Sequence, residues 1–246
     1  MTTPQILDWS ARFGFGSPRP VDLIRNIFIH TTENAFGTPG ENVANYQIRT
    51  ETGSYHFLVD NAKLICENTD NWRTWSTGNK GNDIGLHISF VAYAHYTRAQ
   101  WLEQRSMLDR GAWQVARWCR THKIPPVFVD RHGLLRGERG ISTHDAARVW
   151  GGTDHTDPGA GFPMDVFISL VKKHLAAANQ PVKKEPSPMT AFHQITERFK
   201  SRVPGSSVTM RPIDALLNID RHSWETRQRV ADIEAKLDKL LENKEV

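Results

Sequence analysis

The 246-residue sequence predicts an α/β layer architecture followed by a helical appendage. Three observations carry this. Segments of strand period alternate with segments of helical period, a proline-rich stretch interrupts the pattern after residue 178, and a three-four-three apolar stripe lies near the end of the chain. With 39% apolar and 24% charged residues, the chain can build one full-sized core and still have length left over.

Residues 1–22 read as an N-terminal segment ahead of the domain, which spans 23–178. Leu23 to His30, with its apolar run Ile27-Phe28-Ile29, reads as a strand entering a loop. Glu41 to Thr50 reads as a short helix after the turn signal Gly37-Thr38-Pro39-Gly40. In Ser54 to Asp60, Tyr55, Phe57 and Val59 alternate against His56 and Leu58, the period of a second strand, closed by Asp60-Asn61. Ile84 to Val91 reads as a third. Ile84, Leu86, Ile88 and Phe90 share one face of it, so His87 points away from the apolar side.

Arg98 to His122 carries Trp101, Leu108, Ala112, Val115 and Cys119 at spacings of three, four and seven, which predicts one long amphipathic helix ending before Pro125-Pro126. A last domain helix, about Met164 to Ala178, turns Phe167, Ile168, Val171 and Leu175 inward. Residues 179–190, with three prolines among charged side chains, read as a linker. In 191–246 a helix starts near Pro212, and Val230, Ile233, Leu237 and Leu240 form a stripe suited to another helix. That stripe suggests a homo-oligomer or a targeting element, and a solvated helix is the alternative.

No apolar run approaches the length that spans a bilayer, and Met1 to Pro20 lacks the order of a secretory signal. The expectation is a chain made in the cytoplasm, with no membrane insertion. Cys66 and Cys119 are too few for a disulfide framework or a cysteine-based zinc site. The net charge of +4 is compatible with a polyanion such as nucleic acid or an anionic cell wall, and does not choose between them.

The chemistry-bearing residues are His30 at a strand end, His144 in Gly140-Ile-Ser-Thr-His144, and His155-Thr156-Asp157-Pro158-Gly159. Two histidines and a carboxylate make a divalent-metal shell. Zn2+ suits it, and three protein ligands leave a fourth position for a water whose pKa falls to about 7. Taken singly, each residue also has a plain structural reading: a lone histidine is commonly a surface or core residue, and Asp157 before Pro158 can simply start a turn.

Four motifs in order carry a family resemblance: Ile-Phe-Ile-His30-Thr-Thr-Glu, Gly53-Ser-Tyr55-His56-Phe-Leu-Val-Asp60, Gly81-Asn-Asp-Ile-Gly85, and His144 followed by Gly151-Gly-Thr-Asp-His155-Thr-Asp157-Pro-Gly159. From about Asn26 to Leu175 the chain resembles the zinc-dependent N-acetylmuramoyl-L-alanine amidases of the type 2 amidase and peptidoglycan-recognition-protein superfamily, most closely lysins of actinobacterial phages. The resemblance implies a central mixed sheet flanked by helices, with Zn2+ in a groove on one sheet face. It implies His30, His144 and Asp157 as zinc ligands, Tyr55 as the residue that orients the reacting water, and His155, where the family commonly has lysine, as a donor to the oxyanion.

Two departures are visible. His87 stands where some members carry a glutamate base, and reads as a base or as a groove-lining residue. The Trp-His-Ala-Gly segment of many relatives is Trp75-Ser76-Thr77-Gly78 here. Trp72 and Trp75 lie in a polar loop where indoles either stack on sugar faces or plug the sheet edge. His56 reads as packed or hydrogen-bonded, and Asp145 and Asp154 as turn residues or as acceptors supporting the ligands. The resemblance further implies bacterial peptidoglycan as partner, no nucleic acid, and a phage endolysin that waits in the host cytoplasm until the membrane is permeabilised. From residue 191 onward ten basic residues face nine acidic ones, which argues against electrostatic wall capture by that part. The competing readings are a zinc-free peptidoglycan-binding module and a regulatory protein on the same fold.

Overall fold

The structure, a computed structural model, describes residues 3–179, 199–200, 209–210, 222 and 224–236. The chain divides into two compact units, Met1–Gln180 and Pro181–Val246.

In the first unit the elements run β1 (Ile6–Asp8), β2 (Ser17–Pro18), β3 (Asn26–Thr31), α1 (Gly40–Thr50), β4 (Phe57–Val59), β5 (Leu64–Cys66), β6 (Trp72–Arg73), α2 (Lys80–Ile84) and β7 (Gly85–Phe90). They continue with α3 (Arg98–Glu103), α4 (Arg105–His122), α5 (Arg131–Leu135), β8 (Gly140–Thr143), α6 (His144–Ala147) and α7 (Met164–Asn179). Six strands form one mixed sheet in the order β1-β5-β4-β7-β3-β8, and β2 pairs with β6 separately. Within the six-stranded sheet only the β4–β5 pair is antiparallel, because a short turn joins them; Asp60 closes it by accepting from the backbone N–H groups of Ala62 and Lys63, each at 2.7 Å.

Strand alternation divides the sheet into two chemically different faces. Ile27 and Ile29 of β3, Leu86, Ile88 and Phe90 of β7, Phe57 and Val59 of β4, and Ile141 of β8 join one core with Leu108, Ala112 and Val115 of α4 and Phe167 and Val171 of α7. Each fully buried apolar side chain of this kind stabilises the fold by about 1.5–3 kcal/mol. Gly111 lets α4 approach closely, since a Cβ there would collide with the Phe90 ring. The opposite face carries His30 and Phe28 beside Ser89 and His87. Two smaller clusters flank it, one with Val43 and Ala44 of α1 against Leu58, the other with Ala146 and Ala147 of α6 against Phe28.

Several expected boundaries move. The first strand begins at Asn26, because Val21–Leu23 forms a 3-10 turn. The second shortens to Phe57–Val59, since Tyr55 is held by side chains: its N–H donates to the Glu67 carboxylate at 2.7 Å and its carbonyl accepts from Asn68 Nδ2 at 2.7 Å. Ile84 ends α2 rather than opening β7. The long helix expected over Arg98 to His122 is two. A Thr97–Gln100 capping box starts α3, Gln104 leaves helical geometry at ψ 41°, and its carbonyl accepts from the N–H groups of Met107 and Leu108 in α4. The seven-residue gap between Trp101 and Leu108 spans that break.

The described part of the segment 1–22, which the sequence sets apart from the domain, contributes strands to it: β1 is an edge strand paired with β5, and β2 pairs with β6. In the second unit, residues 224–236 are helical, and Val230 and Ile233 are exposed. A short antiparallel pair, β9 (Phe199–Lys200) with β10 (Thr209–Met210), adds strand to a region expected to be helical. The linker 179–190, apart from the helical Asn179, the helix start near Pro212, and Leu237 and Leu240 lie outside the described residues.

Candidate metal centre

Three elements deliver the three expected ligands to one point. His30 sits on β3, between β7 and β8, with no exposed surface. His144 opens α6, whose first turn is set by Thr143, its hydroxyl accepting from Ala146 N–H at 3.1 Å. Asp157 lies in a loop whose carbonyl at that residue accepts from Asp145 N–H at 3.1 Å. Gly159, at φ 81°, lets that loop lie against Ala94, whose carbonyl oxygen a Cβ would strike.

His30 Nδ1 lies 3.2 Å from Asp157 Oδ2 and 3.2 Å from His144 Nδ1, and His144 Nδ1 lies 3.0 Å from Asp157 Oδ1. Ligand atoms of the three residues all fall within 4.8 Å of one another. Asp157 Oδ2 accepts from Thr31 N–H at 3.2 Å, yet Oδ1, although buried, has no hydrogen-bond donor in spite of the imidazole nitrogen beside it. A buried carboxylate oxygen without a donor is costly. Two imidazoles and a carboxylate converging around it are the donor set that zinc takes, so these residues fit the metal.

Electrostatics agree. Burial lowers the His30 pKa to about 4 against the pull of Asp157, leaving the ring neutral, as a ligand must be. Burial alone would raise Asp157, but the two adjoining imidazoles outweigh it and hold the carboxyl well below its usual range.

Around this triad, Tyr55 packs its ring 5.0 Å from that of His30, and burial together with the Asp157 charge keeps its phenol protonated. His155 stacks on His144, with its Nδ1 3.8 Å from Asp157 Oδ1. A groove of about 490 Å³ runs along Tyr55, Trp75, Thr153, His144 and His155. Trp75 is 46% exposed there. Trp72 is not brought to the groove: its indole N–H donates to the Phe15 carbonyl at 2.9 Å, in the strand pair that braces the sheet.

His87 lies behind His30, away from the groove. It is fully buried, Nδ1 faces His30 Nε2 at 3.0 Å and Nε2 faces the Gly81 carbonyl at 3.1 Å. Burial, then the neighbouring His30, His56 and Arg19, pushes its pKa well below the ordinary value. Neither nitrogen is open to a substrate, so the expectation that His87 serves as a base does not suit this geometry.

Sequence reasoning missed three supporting residues. Thr153 meets His144 Nε2 at 2.9 Å through its hydroxyl, and its place four residues before Asp157 was a usable signal. Arg19 is buried and donates to the carbonyls of Gly85 (2.6 Å) and Asp70 (3.1 Å), and nothing local marked it. Glu67, fully buried, holds Tyr55 by its backbone.

Comparison with known proteins adds the family. The profile of the N-acetylmuramoyl-L-alanine amidases matches residues 18–160. No curated protein matches the sequence. Among solved structures, the Staphylococcus aureus hydrolase AmiA in complex with its ligand is similar at a TM-score of 0.59 and 19% identity, over 72% of this chain and 86% of that one. A mutant endolysin from Bacillus subtilis gives 0.49 and 18%, over 68% and 99%. The N-acetylmuramoyl-L-alanine amidase LysC from Clostridium intestinale gives 0.45 and 13%, over 69% and 99%. At these identities the likeness to AmiA concerns the fold. Since the matched segment spans most of the first unit and contains His30, His144 and Asp157, the chain belongs to the N-acetylmuramoyl-L-alanine amidase family and is a peptidoglycan amidase.

Proposed function

We propose that the chain hydrolyses the amide between N-acetylmuramic acid and the L-alanine of the stem peptide, with Zn2+ held by His30, His144 and Asp157, and that it acts as a phage endolysin in host lysis. The observation that carries the metal reading is the buried Asp157 carboxylate, with Oδ2 3.2 Å from His30 Nδ1 and the donorless Oδ1 3.0 Å from His144 Nδ1. Bound at such a set, zinc supplies a Lewis acid that polarises a carbonyl and makes water acidic enough to react near neutral pH.

The chain's own residues do the rest. Trp75 offers an exposed indole face in the groove, suited to a sugar ring or a stem-peptide side chain. Tyr55, a protonated phenol beside His30, orients the attacking water. His155, at the groove wall and open to solvent, presents a ring N–H to the carbonyl oxygen as negative charge develops on it. Thr31 N–H and the turn at Gly159 keep the Asp157 carboxylate in place throughout.

The test is dialysis against a chelator followed by assay of stem-peptide release from purified wall. Release is expected to stop and to return on adding zinc; wall binding without release under both conditions would overturn the enzyme reading. Among the described residues no helix is long and apolar enough to cross a membrane. For the endolysin role, expression in the host is expected to leave cells intact until the membrane is opened with chloroform. Lysis without that step counts against it.

A further inference from the structure

We propose that His87 is a positioning residue: it sets the tautomer of His30, so that Nδ1, the nitrogen turned towards Asp157 and His144, is the one without a proton. This rests on the reading of His30, His144 and Asp157 as the metal site.

The inference follows from where hydrogens can be. A carbonyl oxygen only accepts, so the 3.1 Å contact between His87 Nε2 and the Gly81 carbonyl requires a proton on Nε2. In a neutral imidazole the other nitrogen is then an acceptor. His87 Nδ1 lies 3.0 Å from His30 Nε2, which must therefore donate. A neutral His30 protonated at Nε2 has its lone pair on Nδ1. One backbone carbonyl thus determines the protonation of two rings and aims a lone pair at the point where the three ligands converge.

The relay is built to stay in register. The His87 ring lies between two near-parallel neighbours, Phe28 at 5.4 Å and 16° and His56 at 5.7 Å and 13°. Its backbone N–H donates to His56 Nδ1 at 3.0 Å, which leaves His56 Nε2 as the donor to the Trp72 carbonyl at 3.1 Å. Parallel pairing of β3 with β7 sets Phe28 opposite His87 and His30 opposite Ser89, so the relay contact is a diagonal between neighbouring strands of one rigid sheet. His144 is held differently. Its Nε2 meets the Thr153 hydroxyl at 2.9 Å, which can donate or accept and so dictates no tautomer.

The test uses the full chain with two readouts. In the metal-free protein, long-range proton–nitrogen NMR correlations of labelled histidine report which His30 nitrogen carries the proton; Nε2 is expected, and a proton on Nδ1 overturns the proposal. Zinc affinity is then measured by chelator competition. His87→Phe keeps the ring stack and removes the acceptor, and is expected to weaken zinc binding about 10- to 100-fold. His87→Asn, whose amide oxygen reaches the Nδ1 position, is expected to recover most of that loss, whereas His87→Gln, whose amide reaches only the Nε2 position, is not. Equal affinity of His87→Phe and the unaltered chain overturns the proposal. Should the unaltered chain fail to bind zinc, the metal reading fails, and the NMR result still decides the tautomer. If His87→Phe does not fold, the NMR experiment on the unaltered chain stands alone.

Discussion

The imidazole of His155 lies flat on that of His144, 5.0 Å between ring centres and 14° between planes, with its side chain 66% exposed where that of His144 is 6% exposed. One ring is thus held in the sheet-side cluster while its neighbour faces the groove. His155→Ala is expected to lower kcat about 10²- to 10³-fold, the usual loss of one oxyanion donor, with zinc content unchanged. Loss of zinc alongside activity would make His155 a ligand or a ligand support instead.

His30→Ala, His144→Ala and Asp157→Ala are each expected to abolish zinc retention and wall hydrolysis together. Metal analysis after gel filtration, paired with peptide release, checks this. A variant with full zinc and full activity strikes that residue from the ligand set.

Two tryptophans three residues apart are expected to behave differently. Trp75→Ala removes an exposed groove face and should raise KM with little change in melting temperature. Trp72→Ala removes the donor to the Phe15 carbonyl and a strand-pair residue, and should cost about 1–3 kcal/mol of stability. Denaturation curves and steady-state kinetics on both variants separate the two; equal kinetic effects would refute the division.

Gly159→Ala places a Cβ against the Ala94 carbonyl at a positive φ. It should destabilise the fold by more than about 1 kcal/mol and weaken zinc binding through Asp157. Unfolding measured with and without metal tests both parts, and a neutral substitution would show that the loop is free to move away from Ala94.

Glu67 provides a pH signature. Burial raises its pKa well above the ordinary 4.5, opposed only by the Tyr55 N–H. Because the folded-state value is the higher one, the folded chain holds the proton more tightly than the unfolded chain. The stabilisation is complete below about pH 4.5 and is lost as pH rises towards the folded-state value. Each unit of difference contributes about 1.4 kcal/mol. Glu67→Gln keeps an acceptor for Tyr55 and cannot ionise, so its melting temperature should decline less between pH 5 and 8 than that of the unaltered chain. Parallel curves would show that Glu67 gains no such proton.

The sequence by itself determined the period of the two strands that carry His30 and His87, and hence which of their side chains share a face. Ile27 and Ile29 alternate with Phe28 and His30, Leu86 and Ile88 with His87 and Ser89, and this local rule placed both histidines on the side away from the core. It also carried the three candidate ligands, through motifs recognisable by their residue types and order. What it could not supply was adjacency. His144 and Asp157 stand 114 and 126 residues from their contacts at His30 and Thr31, and the strand order decides that β7 rather than β4 lies beside β3. The same ordering turns His87 from a candidate base into the neighbour of a candidate ligand. It likewise separates Trp72 from Trp75, because one indole donates to the Phe15 carbonyl beside β2 and the other is exposed in the groove. Alternation acts over two residues along a strand and is written in the chain; which strands become neighbours depends on burying one whole face of the sheet at once, which only the folded structure decides.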